Sequence, residues 1–285
     1  MIFALLASNL CVAGELVIPD NVVFERDVEY SNPDNQHLQL NLARAKNATG
    51  KLPAVLCIHG GGFRAGSREG YDSLCLKLAQ RGFVAATVTY RLAPKYQFPA
   101  QIHDVKAAVR WLRANAGKYQ IDPARVGVTG GSAGGHLAQF LGVTAGVLAF
   151  EGDGGNATES SAVQCVVNQF GPSDFTKSYG RSVDGAEVLP LFLGGNLETA
   201  RQRHVQASPL NWVTPNAAPT LILHGTADNF VAYEQSVWLR DRLQSCGVEG
   251  ELMTFEGAGH GFNGAEAERA QQALFSFFEK HLQPK

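Results

Sequence analysis

Residues 125–141 read RVGVTGGSAGGHLAQFL, a β-branched run that passes into an amphipathic helical pattern. Gly130, Gly131, Gly134 and Gly135 surround one serine, Ser132. Glycine is entropically costly, so its concentration at a strand-to-helix junction demands a reason. Close approach of two backbones is one reason. The other is a turn so tight that only glycine fits beside it, which holds a single side chain out above a sheet. Ser132 sits at the centre of G-x-S-x-G, a pattern that carries little weight alone. The strand before it and the helix after it supply the context that a strained nucleophile turn requires.

Outward from this stretch, alternating or continuous apolar runs predict strands at 27–31, 37–45, 52–59, 83–90, 125–129, 163–170, 219–224 and 250–256. Helical patterns lie among the later ones. Ile102, Val105, Val109 and Leu112 recur at helical spacing, with Pro99 at the start and Gly117 just past the end. Residues 71–82, YDSLCLKLAQRG, end at Gly82 in the same way, and 233–246 and 265–282 make two more helices. A hairpin-like opening followed by strand–helix alternation predicts an α/β fold. Its mostly parallel eight-stranded sheet begins antiparallel and carries helices on both faces. In such sheets chemistry collects at the carboxyl ends of the strands.

Four strand ends carry polar motifs. HGGGF occupies 59–63, Ser132 follows the central strand, HGTAD ends in Asp228, and EGAGHGF carries His260. A lone aspartate or histidine in a loop usually has no catalytic meaning, but Ser, Asp and His in that chain order at strand ends form a constellation. Asp174, in FGPSDF at another strand end, is a second candidate acid. His59 and His224 are read as structural, orienting their loops through backbone bonds, and His136 as a helix-face residue.

Together HGGGF, YRLAP, GGSAGGHLA, HGTAD and GAGHGF resemble the α/β-hydrolase superfamily. Within it, the motifs are similar to hormone-sensitive-lipase-like carboxylesterases and to the BD-FAE group of feruloyl and acetyl-xylan esterase-like proteins. The resemblance implies a serine carboxylesterase with Ser132 as nucleophile, His260 as base and Asp228 as its orienting acid. Gly61, Gly62 and Ala133 would supply the oxyanion-hole N–H groups, and Phe63, Leu191, Phe192, Phe230 and Phe262 would line the substrate site. It also implies an Arg91–Asp104 pair beneath the site. Many relatives carry Asp or Glu where this chain has Gly131. The chemistry agrees with these roles: a serine hydroxyl needs a base, the base needs an orienting acid, and the tetrahedral oxyanion needs N–H groups already aimed at it.

The chain has 285 residues, 45% hydrophobic and 18% charged, with a net charge of −2. Nothing in that balance favours a nucleic acid or an anionic membrane surface as partner. No cofactor or metal is expected, since no cysteine has a CxxC or HxxxH neighbour. Residues 2–13 form a short apolar run closing on Val12, Ala13 and Gly14, which reads as a signal-like segment over 1–14 and implies a secreted or periplasmic protein. Cys57, Cys75, Cys165 and Cys246 then remain, Cys57 and Cys165 within apolar strands, and three pairings stay open. The rest, 15–285, is expected to be one domain with a small lid insertion at 173–204, whose apolar patch spans 188–193. So small a lid leads to the expectation of short-acyl or aromatic-acyl esters on a bulky alcohol such as a carbohydrate. An amidase, formamidase or small peptidase would use the same triad, and a binding protein on an inactive hydrolase scaffold would use none of it.

Overall fold

The computed structural model describes residues 16–181 and 183–283, so the signal-like segment at 1–14 lies outside the described residues. In chain order the elements are β1 (Val22–Ser31), β2 (Leu38–Ala45), β3 (Leu52–Ile58), α1 (Asp72–Gln80), β4 (Val84–Val88), α2 (Ala100–Ala114), α3 (Ala116–Tyr119), β5 (Ile121–Gly131) and α4 (Ala133–Val143). There follow β6 (Cys165–Gln169), α5 (Val183–Glu187), α6 (Leu189–Leu193), α7 (Arg201–Gln206), β7 (Thr220–Gly225), α8 (Glu234–Ser245), β8 (Gly250–Phe255) and α9 (Gly264–Leu282).

The eight strands form one sheet in the order β1-β2-β4-β3-β5-β6-β7-β8. β2 runs antiparallel to both neighbours, and from β4 onward every pairing is parallel. This is the expected antiparallel opening on a parallel sheet. Alternation along each strand sorts the core: Ala54, Leu56 and Ile58 of β3 face α2 and α4, while Val55 and Cys57 face α1 and α9. α8 covers the far end of the first face through Leu239 and Leu243 against Ile222. Cys57, Cys75 and Cys165 are buried free thiols, and Cys246 is a half-buried one.

Two strands depart from their expected bounds by more than two residues. β1 begins five residues before the expected start because its register shifts between Glu25 and Val28, where Asp27 takes a φ of 57°. The bulge breaks the period-two pattern, so the segment before it did not read as strand. β5 continues through Gly130 and Gly131, which pair with Ile58 and Gln169. Those two glycines are therefore sheet, not turn.

The turn itself is confined to Ser132, at φ 56° and ψ −121°. A non-glycine residue held there costs on the order of 1–3 kcal/mol and persists only where its surroundings fix it. Here the Ser132 N–H donates to the Gln169 carbonyl at 2.9 Å, and its carbonyl accepts from His136 at 3.0 Å. A Cβ on Gly134 would fall on the Ile58 carbonyl oxygen. The glycines thus let the first turn of α4 press against the end of β3, so both reasons for them hold at once.

The insertion at 173–204 is packed more firmly than a flap. Its apolar patch is α6, whose Leu189, Phe192 and Leu193 are buried in the main core. The Phe192 ring stacks on Phe63 at 3.9 Å, and its carbonyl accepts from the Phe98 N–H at 2.9 Å.

Candidate active site

β5, β7 and β8 end on the same edge of the sheet, and the loops beyond them bring Ser132, Asp228 and His260 together. His260 Nδ1 lies 2.7 Å from Asp228 Oδ2, and His260 Nε2 lies 2.9 Å from Ser132 Oγ. The carboxylate only accepts, so the proton sits on Nδ1, and Nε2 is left to accept from the serine hydroxyl. The His260 side chain retains 21% exposure, whereas that of Asp228 has none.

Asp228 is surrounded by donors. Oδ1 accepts from the N–H groups of Phe230 at 2.8 Å and Val231 at 2.9 Å, and Oδ2 faces His260 and His224 Nε2, the latter at 3.1 Å. Burial alone would raise its pKa, but the hydrogen bonds from His224 and His260, the His260 charge and the Val231 N–H outweigh burial. They hold the carboxyl well below the usual carboxylate range.

The HGGG loop lies directly against the elbow: a Cβ on Gly60 would come within 3.3 Å of Ser132 Cβ. Gly61 and Gly62 have φ of 110° and 59°, and a Cβ on Gly61 would strike the Ala65 carbonyl, so only glycine fits there. Ala133 is the first residue of α4, where a backbone N–H has no partner within its own helix. The three expected oxyanion donors therefore belong to the two segments that flank Ser132.

The remaining site candidates divide. Phe230 is 41% exposed with its ring 5.2 Å from His260, at the mouth of the site. Phe262 is half-buried against Phe255 and reaches His260 only through Phe170. Leu191 is half-buried on α6. Phe63 and Phe192 correct the expectation of a pocket lining. At 2% and 0% exposure they stack on each other, with the Phe175 and His136 rings around them, and so form a solid wall behind the oxyanion loop.

Asp174, the alternative acid, is occupied elsewhere: it accepts from the Thr176 N–H at 3.0 Å and pairs with Lys177 at 3.0 Å. Arg91 and Asp104 form the buried pair that the resemblance implied, with Nη2 to Oδ1 at 2.8 Å, and Arg91 also reaches Asp34. His59 Nδ1 bonds the Gly60 carbonyl at 2.7 Å, and burial lowers its pKa. His136 is fully buried on the face of α4, where burial brings its pKa to about 4 despite a 2.7 Å bond from Nε2 to the Ala207 carbonyl. His224 is the correction among the histidines, because besides the Val231 carbonyl at 3.0 Å it touches the Asp228 carboxylate itself.

Phe170 was missed by sequence reading. It follows the last residue of β6 at a φ of 44°, with its ring 4.9 Å from His260. Its place at a strand end was the signal that could have found it. Phe170 also explains Gly131: a Cβ there would meet the Phe170 ring at 3.3 Å and the Tyr71 hydroxyl at 3.1 Å. The space beside Gly131 is filled by these two aromatic side chains.

The BD-FAE family model matches residues 40–243. Esterase LipC of Mycobacterium tuberculosis is 34% identical over 250 residues, covering 85% of this chain but 60% of LipC, so the chain spans less than two thirds of that relative. Ethyl acetate hydrolase of Pseudomonas putida is 30% identical over 280 residues, 95% of this chain and 86% of the relative. Among solved structures, a truncated carbohydrate esterase from gut microbiota superposes with a TM-score of 0.79 at 29% identity, covering 90% of this chain and 95% of that one. With its sheet order, its elbow and these matches in agreement, the chain belongs to the BD-FAE family and has the α/β-hydrolase fold.

Proposed function

We propose that this protein is a serine carboxylesterase acting through an acyl-enzyme. The observation that carries the reading is the continuous line of bonds from Asp228 through His260 to Ser132, at 2.7 and 2.9 Å. His260 Nε2 takes the hydroxyl proton as Ser132 Oγ attacks the ester carbonyl carbon. The oxyanion is met by the N–H groups of Gly61, Gly62 and Ala133, each such donor contributing roughly 2.7–4 kcal/mol to transition-state stabilisation. The His260 imidazolium, stabilised by Asp228, then protonates the departing alkoxide. Water repeats the sequence and releases the acid.

The substrate proposed is an ester of a short or aromatic acyl group on a bulky alcohol, of the kind found on plant polysaccharide. The stacked Phe63, Phe175 and Phe192, which fill the space beside the oxyanion loop with buried rings, support the acyl side of this reading. The names of two similar proteins, an ethyl acetate hydrolase and a carbohydrate esterase, support the two halves of such an ester. The alcohol leaves beside His260, where exposed Phe230 offers a flat apolar rim.

The deciding experiment is fluorophosphonate labelling and ester turnover in wild type and Ser132→Ala. Wild type should be labelled, and the variant should fold, resist labelling and lose nearly all turnover. A variant keeping more than about a tenth of the wild-type rate, a loss under ~1.4 kcal/mol, would remove Ser132 from the nucleophile role.

A further inference from the structure

His224 meets the triad acid at Oδ2, the oxygen that the catalytic histidine also contacts. Its ring is fully buried, Nε2 facing Asp228 Oδ2 at 3.1 Å and the Val231 carbonyl at 3.0 Å, and Nδ1 facing Ser236 Oγ at 2.6 Å. Both neighbours of Nε2 can only accept, so Nε2 carries a proton. Nδ1 faces a hydroxyl that can donate to it, so in the neutral ring Nε2 is the donor and Ser236 fixes that tautomer. The other groups that face it are Tyr233, whose ring stands at 5.7 Å on α8, and His260 across the shared carboxylate oxygen.

We propose that His224, set by Ser236, is a positioning residue for the reaction. It fixes Oδ2 of Asp228 in place and draws off part of that oxygen's negative charge, so that His260 is oriented without being held too firmly in its protonated form. Three observations converge on this role. The bond goes to the same oxygen that His260 uses, not to Oδ1, which the Phe230 and Val231 N–H groups already occupy. The ring is sealed from solvent, so no water can substitute for it. Ser236 is itself buried on α8, so a helix of the scaffold, not a mobile loop, sets the tautomer. A histidine needed only to hold the 228–231 loop would be satisfied by the Val231 carbonyl. The inference rests on the triad reading above.

The test compares His224→Leu and His224→Gln, with turnover followed across pH. Without the donor, Asp228 stabilises a proton on His260 more strongly, so the acidic limb of the kcat/KM profile should move to higher pH. kcat should fall by about 10-fold or more while KM changes little, as expected for loss of a hydrogen bond to a charged group. His224→Gln, whose amide can donate from nearly the same position, should restore the limb and most of kcat. A uniform loss at every pH, with Gln no better than Leu, would assign His224 a purely structural role and overturn the proposal, as would a wild-type profile in His224→Leu. Should the Leu variant not fold, histidine-selective nitrogen NMR on the intact protein decides: the proposal requires His224 to be neutral and protonated on Nε2, and a proton on Nδ1 refutes it. An active Ser132→Ala enzyme would instead refute the triad reading on which this one stands.

Discussion

At the scale of single residues, Asp228 and Asp174 are alike in sequence terms and opposite in the structure. Both are buried and both lie in the loop after a strand, but Asp174 spends its oxygens on Thr176 and Lys177, whereas Asp228 meets His260. Asp228→Asn should therefore lower kcat by about 10³–10⁴-fold, since an amide cannot hold His260 in the productive tautomer. Asp174→Asn keeps an oxygen that can cap Thr176 and removes only a half-exposed ion pair, so it should cost under about 1 kcal/mol of stability and leave turnover nearly unchanged. Steady-state kinetics on the two variants check this, and equal losses would reject the assignment of the acid. His224 shows what residue-level reading misses. Its motif placed it beside Asp228 in sequence, but which neighbour it bonds depends on α8 arriving with Ser236, twelve residues further on.

At the scale of elements, the insertion bears on the proposed acyl preference. α6 carries Phe192 onto Phe63, the residue after the oxyanion glycines, and Val188 just before it would stand 3.2 Å from a Cβ on Gly62. On the proposed short-acyl reading, these packed rings are the wall of the acyl side. Specificity constants over a series of esters should be highest at acetyl to butyryl and should collapse by dodecanoyl. A maximum at twelve carbons would mean that a channel opens through this wall. Phe192→Ala tests the wall itself. Deleting the ring should destabilise the fold by about 3–5 kcal/mol, the range for a buried phenylalanine. In whatever fraction remains folded, the ratio of hexanoyl to acetyl turnover should rise, and an unchanged ratio would show that α6 does not limit the acyl group.

At the scale of the whole molecule, His136 ties stability to pH. It is packed among Phe63, Phe140, Phe175 and Phe192, and burial lowers its pKa from the ordinary 6.5 to about 4. Between those values the unfolded chain takes up a proton that the folded chain refuses. Stability therefore declines as pH falls from about 6.5 to 4, by on the order of 3 kcal/mol from this group alone. His136→Gln should be less stable at neutral pH but should lose less on acidification. Melting temperatures of both proteins across that window provide the check, and parallel slopes would contradict it.

The parallel sheet, the elbow and the order Ser132, Asp228, His260 were legible in the sequence because each depends on local rules. Alternation writes strands, glycine marks a turn that excludes side chains, and parallel strands deliver their loops to one edge whatever the details of packing. Exposure and partner choice do not follow local rules. Phe63 and Phe192 looked like pocket residues, and only the return of α6 onto the HGGG loop turned them into a buried stack. The bulge at Asp27 hid half of β1 from its own periodicity. Phe170 and Tyr71 closed the space beside Gly131 from two distant segments. A side chain's surroundings are assembled by elements far apart in the chain, so the sequence determined which groups stand at the catalytic edge, and the tertiary structure decided what each of them touches.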